Sequence, residues 1–286
     1  MHQAGYEAYV VGGAVRDHLL GVVPQDIDIA TSAHTQEIIA TAQEQGWRTV
    51  ETGIFFGVVV VVVEGAPYDV ATFRTETYGV DSHRPETVSF AVSLKEDLSR
   101  RDFSINAMAM DETGRIIDYF GGQTDLRKGL IRTVGDPLLR FQEDSLRMFR
   151  AARFAAVFDF AIDPATLAAI PPNLYRVRGL SVERVRNEID KTLLGRFAPR
   201  GLRVLMEQGL LDETCRVRDD SRQARIVILP ELSHLRGLSQ NERFHRFDVW
   251  EHTLAMVAEI RPHPILRWAA LLHDVAKGLP DVRCYN

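Results

Sequence analysis

The sequence reads as an α+β protein: a head with a small mixed sheet over residues 1–122, an all-helical neck and body over 123–222, and a partial helical unit over 223–286. Three observations predict this. Up to about Gly122, short apolar and β-branched runs alternate with helix-like stretches and are separated by glycine turns. Beyond Gly122 the apolar residues recur at helical spacing instead. At 286 residues the chain also exceeds what one hydrophobic core usually serves, so two or more packed units are expected.

Taken in order, Tyr9–Val11 reads as a strand, Ala14–Leu20 as a helix stopped by Gly21, and Ile27–Ala30 as a second strand. Thr31 or Ser32 is the expected cap of a helix through Gln43, with Gly46 as its stop. The valine run Val58–Val63 reads as a strand buried on both faces. It joins Tyr68–Phe73 across the turn EGAP as a hairpin, and Met108–Met110 joins Ile116–Tyr119 across DETG as another. Glu143–Phe158 reads as one helix, with Leu146, Phe149, Ala152 and Phe154 near helical spacing. Val182–Leu194 and Leu202–Leu210 continue in that style, and Pro171, Pro172 and Gly179 mark breaks. From about Gln223 a third unit is expected, carrying VWEHTLAMV and LRWAALLHDVAKGLP.

Composition narrows the function. Hydrophobic residues make up 45% and charged ones 26%, an ordinary globular balance. The two cysteines, Cys215 and Cys284, are far from any C-x-x-C spacing, so no disulfide framework or cysteine metal cage is expected. No apolar run approaches the roughly 20 residues of a membrane helix, and the N-terminus lacks the basic-then-apolar order of a signal peptide. A cytoplasmic protein without a membrane partner is the expectation. The net charge of −5 is unevenly spread. Residues 1–125 carry 8 basic against 19 acidic side chains, residues 126–203 carry 15 against 8, and the rest 11 against 12. An acidic head and a basic middle point to a metal-loaded end joined to a surface for phosphates. A helical segment with solvated arginines explains the middle equally well.

The densest signal is GGAVRDHLLGVVPQDIDIAT. On a strand, Asp26 and Asp28 share a face, and two like charges so close repel unless a cation sits between them. Hard carboxylate oxygens beside a phosphate-sized turn suit magnesium, which is usually held by one or two carboxylates plus substrate phosphates. The Gly12-Gly13 turn opens a helix whose exposed N–H groups can hold a phosphate. The plain alternative is a solvated strand end with two surface acids.

The stretch GGAVRD…DID, together with LKEDLSRRDFSINAMAM, RFQEDSLRMFRAARFA and SVERVRNEIDK, resembles the class II nucleotidyltransferases, the CCA-adding enzymes and bacterial poly(A) polymerases. The four motifs stand in order over roughly residues 8 to 195. The resemblance implies a polymerase-β-like nucleotidyltransferase head that uses Mg2+ in a two-metal site. It also implies CTP and ATP as substrates and a tRNA 3′ end as partner, with pyrophosphate released and no DNA involved. Asp26 and Asp28 become the implied metal ligands and, with Asp69 in YDVATFRTE, the catalytic carboxylates. Gly13 and Arg16 are implied to hold phosphate oxygens, Arg101 the triphosphate, and Asp102 and Asn106 to serve the ribose or the scaffold. Within the nucleobase-reading motif, Asp144 and Arg147 stand at i and i+3, which on a helix share a face. An acceptor beside a donor matches C and A and opposes U and G. An i,i+3 surface ion pair is the plain alternative. Arg150 and Arg153 follow on the same stretch as phosphate holders or braces. TYGVDSHRPETV resembles the mobile loop that CCA-adding enzymes need for the final adenosine.

The last motif differs in kind. His252 in EHTL and the His273-Asp274 pair in HDVAK resemble the HD metal-hydrolase superfamily. Twelve residues follow Asp274, and Asp281 stands too near to serve as the distant aspartate of such sites, so the HD unit reads as incomplete. Four other functions compete. A poly(A) polymerase commonly carries a G-R-R-F-R-like run where this chain has GIFFGVVVVVVEG, which favours CCA addition. A-only or CC-only tRNA enzymes share every motif. A phosphohydrolase needs the complete HD site, and a non-catalytic RNA-binding module is expected to have lost Asp26 or Asp28.

Overall fold

The computed structural model describes residues 1–51, 53–78, 85–90, 93–217, 224–241, 243 and 246–279, with backbone alone at 76–78 and 85–90. Residues 79–84 of the expected mobile loop lie outside them, as do Asp281 and Cys284. The chain divides into two units at Asp136/Pro137.

The first unit begins with β1 (Ala8–Val11), α1 (Gly13–Leu19), β2 (Asp28–Thr31), α2 (Thr35–Glu44) and β3 (Arg48–Val50). It continues with β4 (Val58–Val63), β5 (Ala66–Thr72), β6 (Arg74–Tyr78), β7 (Pro85–Phe90) and α3 (Leu94–Ser99). Then come β8 (Met108–Met110), β9 (Ile116–Asp118), α4 (Gly122–Lys128) and β10 (Leu130–Ile131). Seven strands form one mixed sheet in the order β3-β4-β5-β2-β1-β8-β9. Its neighbours pair antiparallel except β2 and β5, which run parallel. That exception arises because α2 and β3 carry the chain away and β4 returns it beside β5. Both expected hairpins form, β4–β5 and β8–β9.

Three local expectations change. The valine run is covered on one face: Val59 and Val61 are buried with Ile38, Ile39 and Ala42 of α2, while the alternate valines remain half-buried. Strand alternation explains the split, since successive side chains point to opposite faces. The cap of α2 is His34, whose backbone N–H donates to Glu37 at 2.7 Å. Thr31 is instead the last residue of β2, and its hydroxyl donates to the Glu7 carbonyl at 2.5 Å. The head also runs past Gly122 to Asp136, because α4 and β10 are fastened to it. There Asp125 accepts from Ser104 and from Arg132 Nε at 2.9 Å, and Arg132 donates to the Phe120 carbonyl at 3.0 Å.

The second unit contains α5 (Pro137–Glu143), α6 (Leu146–Phe158), β11 (Ala161–Ile162), α7 (Pro164–Ala168), α8 (Val182–Leu194) and α9 (Ala198–Glu207). After these come β12 (Thr214–Arg216), β13 (Arg225–Val227), α10 (Pro230–Ser233), α11 (Val249–Glu259) and α12 (Pro264–Leu272). One core gathers Phe149 and Ala152 of α6, Ile189 and Leu193 of α8, Leu202 and Leu205 of α9, Trp250 and Leu254 of α11, and Leu271 of α12. Residues beyond 223 therefore share the body's core instead of forming a unit of their own. At Gly201 a Cβ would meet the Ala152 carbonyl at 2.5 Å, so α6 and α9 approach as closely as they do because no side chain intervenes. The expected single helix Glu143–Phe158 is broken between α5 and α6, at Asp144 and Ser145. Among the described residues no helix is long and apolar enough to cross a membrane.

Candidate active site

β1 ends on the buried Val11, and the chain turns at Gly12 with φ +74°. A Cβ there would lie 2.7 Å from Arg101 Nη1 and 3.8 Å from Asp28 Oδ2. Glycine is needed twice over, for the positive φ and for the space the guanidinium takes. Gly13 opens α1, and a Cβ on it would meet Arg16 Nη2 at 3.4 Å.

Asp28 is the first residue of β2 and stands in register with Asp69 on the parallel strand β5. These two acids stand 41 positions apart in sequence, and one strand pairing brings them side by side. Asp26 lies in the bend before β2, so strand alternation does not place it as expected. It nonetheless acts on the same group. The Asp28 carboxyl is pushed above its ordinary value by loss of hydration first; Arg101 opposes this, and Asp69 and Asp26 add repulsion. All three acids remain exposed.

Arg101 follows α3, and its Nη2 donates to Asp97 Oδ2 at 3.3 Å. Asp97 is buried, and its Oδ1 accepts from Arg100 at 3.0 and 2.8 Å and from the Arg74 backbone N–H at 3.4 Å. Burial alone would raise this carboxyl, but Arg100, Arg101 and the hydrogen bonds outweigh it and hold it below the usual carboxylate range. A second chain of bonds braces Arg16. Its Nη1 donates to Asn106 Oδ1 at 2.6 Å, and Asn106 donates in turn to Asp102 Oδ1 at 3.0 Å. Asp102 Oδ1 also accepts the Phe103 N–H at 2.7 Å. Asp102 and Asn106 are both buried, and through these bonds they brace Arg16.

In the second unit the sequence-predicted pair is arranged differently from expectation. Asp144 precedes α6, so it and Arg147 do not share a helical face. Its Oδ1 accepts the Leu146 N–H at 3.0 Å and its Oδ2 faces Arg184 at 3.4 Å. Arg147 is buried, donating to Glu143 Oε2 at 2.8 Å and to the Arg140 carbonyl at 3.1 Å. The break has a local cause: the Asp144 carboxylate accepts the N–H two residues on in a turn that competes with the helix. Arg153 pairs with Glu188 on α8 at 3.1 Å, and both Arg153 and Arg150 lie over the Phe154 ring.

Comparison with known proteins follows this geometry. Residues 8–132 match the poly A polymerase head domain, and residues 159–215 match the probable RNA and SrmB-binding site of polymerase A. A CCA-adding enzyme of Limosilactobacillus fermentum is 48% identical over 210 residues, 73% of this chain and 52% of its own length. The solved Bacillus stearothermophilus CCA-adding enzyme in complex with CTP is 41% identical with a TM-score of 0.73, covering 96% of this chain and 60% of that one. A tRNA nucleotidyltransferase complexed with a primer tRNA and an incoming ATP analog is 28% identical with a TM-score of 0.63, covering 90% and 73%. The chain belongs to the CCA-adding enzyme and poly(A) polymerase family. It spans about half the length of the curated relatives it matches.

Within this family member, sequence reasoning missed Asp97, which fixes Arg101, and the Ser104–Asp125–Arg132 network. A signal for Asp97 existed: D-x-x-R-R places two arginines at i+3 and i+4 on one helix face. None existed for Ser104 and Asp125, which the fold alone brings together. The three tail residues do converge. His273 Nε2 lies 3.3 Å from His252 Nε2 and 3.3 Å from Asp274 Oδ2, and His252 Nε2 lies 3.8 Å from that oxygen. Lys277 Nζ donates to the same Asp274 oxygen at 2.7 Å and to Gln240 Oε1 at 3.0 Å. The cluster therefore contains its own ammonium.

Proposed function

We propose that this chain transfers CMP and AMP from CTP and ATP to the 3′ end of tRNA in the cytoplasm, releasing pyrophosphate. The observation that carries the reading is the register of Asp28 with Asp69, with Asp26 close enough to act on Asp28. Exposed carboxylate oxygens, two of which repel the charge on Asp28, suit a hard divalent cation, so the donor set fits magnesium. Asp26 and Asp28 would hold it, with Asp69 completing the acid set. When bound, magnesium would lower the pKa of the RNA 3′-hydroxyl and offset the charge on the leaving pyrophosphate.

The remaining work falls to the chain's own side chains. Arg16, braced by Asn106, and Arg101, fixed by Asp97, present planar donor forks to triphosphate oxygens beside the Gly12-Gly13 turn. Asp144 offers acceptors and Arg147 donors. Together they suit the amino group and ring nitrogen of C or A, while U and G would set a carbonyl against the carboxylate. Glu143 holds Arg147, and Arg184 holds Asp144. The basic stretch 126–203 overlaps the matched RNA-binding segment and supplies cations for the RNA backbone.

The test is direct. tRNA transcripts ending before C, after C and after CC are incubated with each NTP singly, and their 3′ ends are sequenced. Stepwise C, C, A addition is expected. Untemplated runs of A on any RNA, or no extension at all, would overturn the reading.

A further inference from the structure

We propose that Asp97 is a positioning residue that holds the Arg101 guanidinium back from Asp28 and so keeps the acid cluster open to a divalent cation. The inference rests on the reading of Asp26, Asp28 and Asp69 as a metal site. Arg101 and Asp28 flank the same point beside Gly12, where a Cβ would lie 2.7 Å from Nη1 and 3.8 Å from Oδ2. A guanidinium so near an exposed carboxylate is drawn to bidentate pairing. In that pose it would occupy the oxygens a metal needs.

The pairing does not form. Among the described residues the ion-pair partner of Arg101 is Asp97, at 3.3 Å. Asp97 can resist the pull of the three acids because it is itself fixed. It is 1% exposed, and its other oxygen is engaged by Arg100 and by the Arg74 backbone N–H. Arg74 opens β6, two residues past the end of β5, the strand that carries Asp69. The Arg101 Nε is buried with no hydrogen-bond partner among the described residues. A full set of hydrogen bonds therefore does not hold this side chain, and the Asp97 counter-charge does.

The experiment titrates Mn2+ into the full chain without nucleotide or RNA and follows the free ion by electron paramagnetic resonance. Wild type should bind and Asp28→Asn should not; equal binding by both would remove the metal site and this proposal with it. Asp97→Asn should weaken Mn2+ binding by about tenfold, as the freed arginine pairs with Asp28. Adding Arg101→Met to that variant should restore binding to within about threefold of wild type, because the competing cation is gone. A structural role alone predicts the opposite, since the double variant loses one more contact. Wild-type affinity in Asp97→Asn, or a double variant as weak as the single one, overturns the proposal. Where circular dichroism shows Asp97→Asn unfolded, Arg101→Met alone decides, since it leaves Asp97 paired with Arg100. Binding about threefold tighter is then expected from the loss of a nearby like charge, and weaker binding overturns the proposal.

Discussion

In the tail, His252, His273 and Asp274 converge within reach of one metal ion, whereas in the head Asp28 stands in register with Asp69 and Asp26 acts on it, and the two regions treat positive charge in opposite ways. In the head, Asp26, Asp28 and Asp69 make no ion pair among the described residues, and the nearest arginine is tied to a buried aspartate. In the tail, Lys277 donates to the same Asp274 oxygen that His273 and His252 approach. Ligand types alone would rate the tail, with two imidazoles, as the stronger metal site. The fate of the nearest cation weighs against that ranking, because a site already neutralised by its own ammonium gains less from a metal.

The largest expected effect breaks the head. Asp28→Ala should lower kcat/KM for nucleotide incorporation by about a thousandfold, the several kcal/mol a metal supplies to developing charge. Its melting temperature should stay level or rise, since folding raises the pKa of this carboxyl and removing it relieves repulsion. Near wild-type incorporation would show that the head acids are surface residues.

Next comes the anion that fixes the head's arginine. The Asp97 pKa is depressed by folding, so its contribution to stability is present above the ordinary carboxylate range and is lost as pH falls through the depressed folded value. Asp97→Asn should cost about 3 kcal/mol at neutral pH, the price of orphaning buried partners. It should also flatten the acid limb of a stability-against-pH curve measured by urea unfolding. An acid limb as steep as that of wild type would locate the pH dependence elsewhere.

Selectivity should respond on a smaller scale. Reversing the body's pair, Asp144→Arg with Arg147→Asp, should shift preference from C and A toward U and G, with about 1–3 kcal/mol at stake for each mispaired group. Single-turnover incorporation with each NTP measures the ratio. Unchanged C and A preference at near-normal rate would mean these side chains do not read the base.

The smallest effect sharpens the tail. Lys277→Met should tighten Ni2+ or Mn2+ binding only a few-fold, about 1 kcal/mol, because the displaced ion pair is partly exposed. Hydrolysis of a generic phosphodiester should stay at background in both forms. Nickel-dependent turnover lost on His273→Ala would instead make the tail a working hydrolase site.

Much of this was legible from the sequence where the physics is local. The valine run, the EGAP turn and the DETG turn specify their hairpins by alternation and turn chemistry. The Gly12-Gly13 turn forms for the same reason, whereas Asp26 lies in the bend before β2, outside the alternation from which the D-x-D pair was read. Burial of the valine strand was overestimated, because composition cannot say which face a helix covers. The break at Asp144 was missed because apolar periodicity runs through it, while the competing bond is a single side chain to the Leu146 N–H. Asp97 sat in plain view within its motif, but its value depends on Arg74, 23 positions earlier, which only the fold brings near.

The parallel pairing of β2 with β5 has a kinetic meaning. Antiparallel neighbours such as β4 and β5 can zip from their own turn, whereas Asp28 and Asp69 meet only after the 40 residues between them have closed into a loop containing α2, β3 and β4. Loop-closure entropy must be met before such a contact returns any stability. During refolding the helices and hairpins should therefore acquire their spectroscopic signal first, and the ability to capture a divalent ion should appear later, with completion of the sheet.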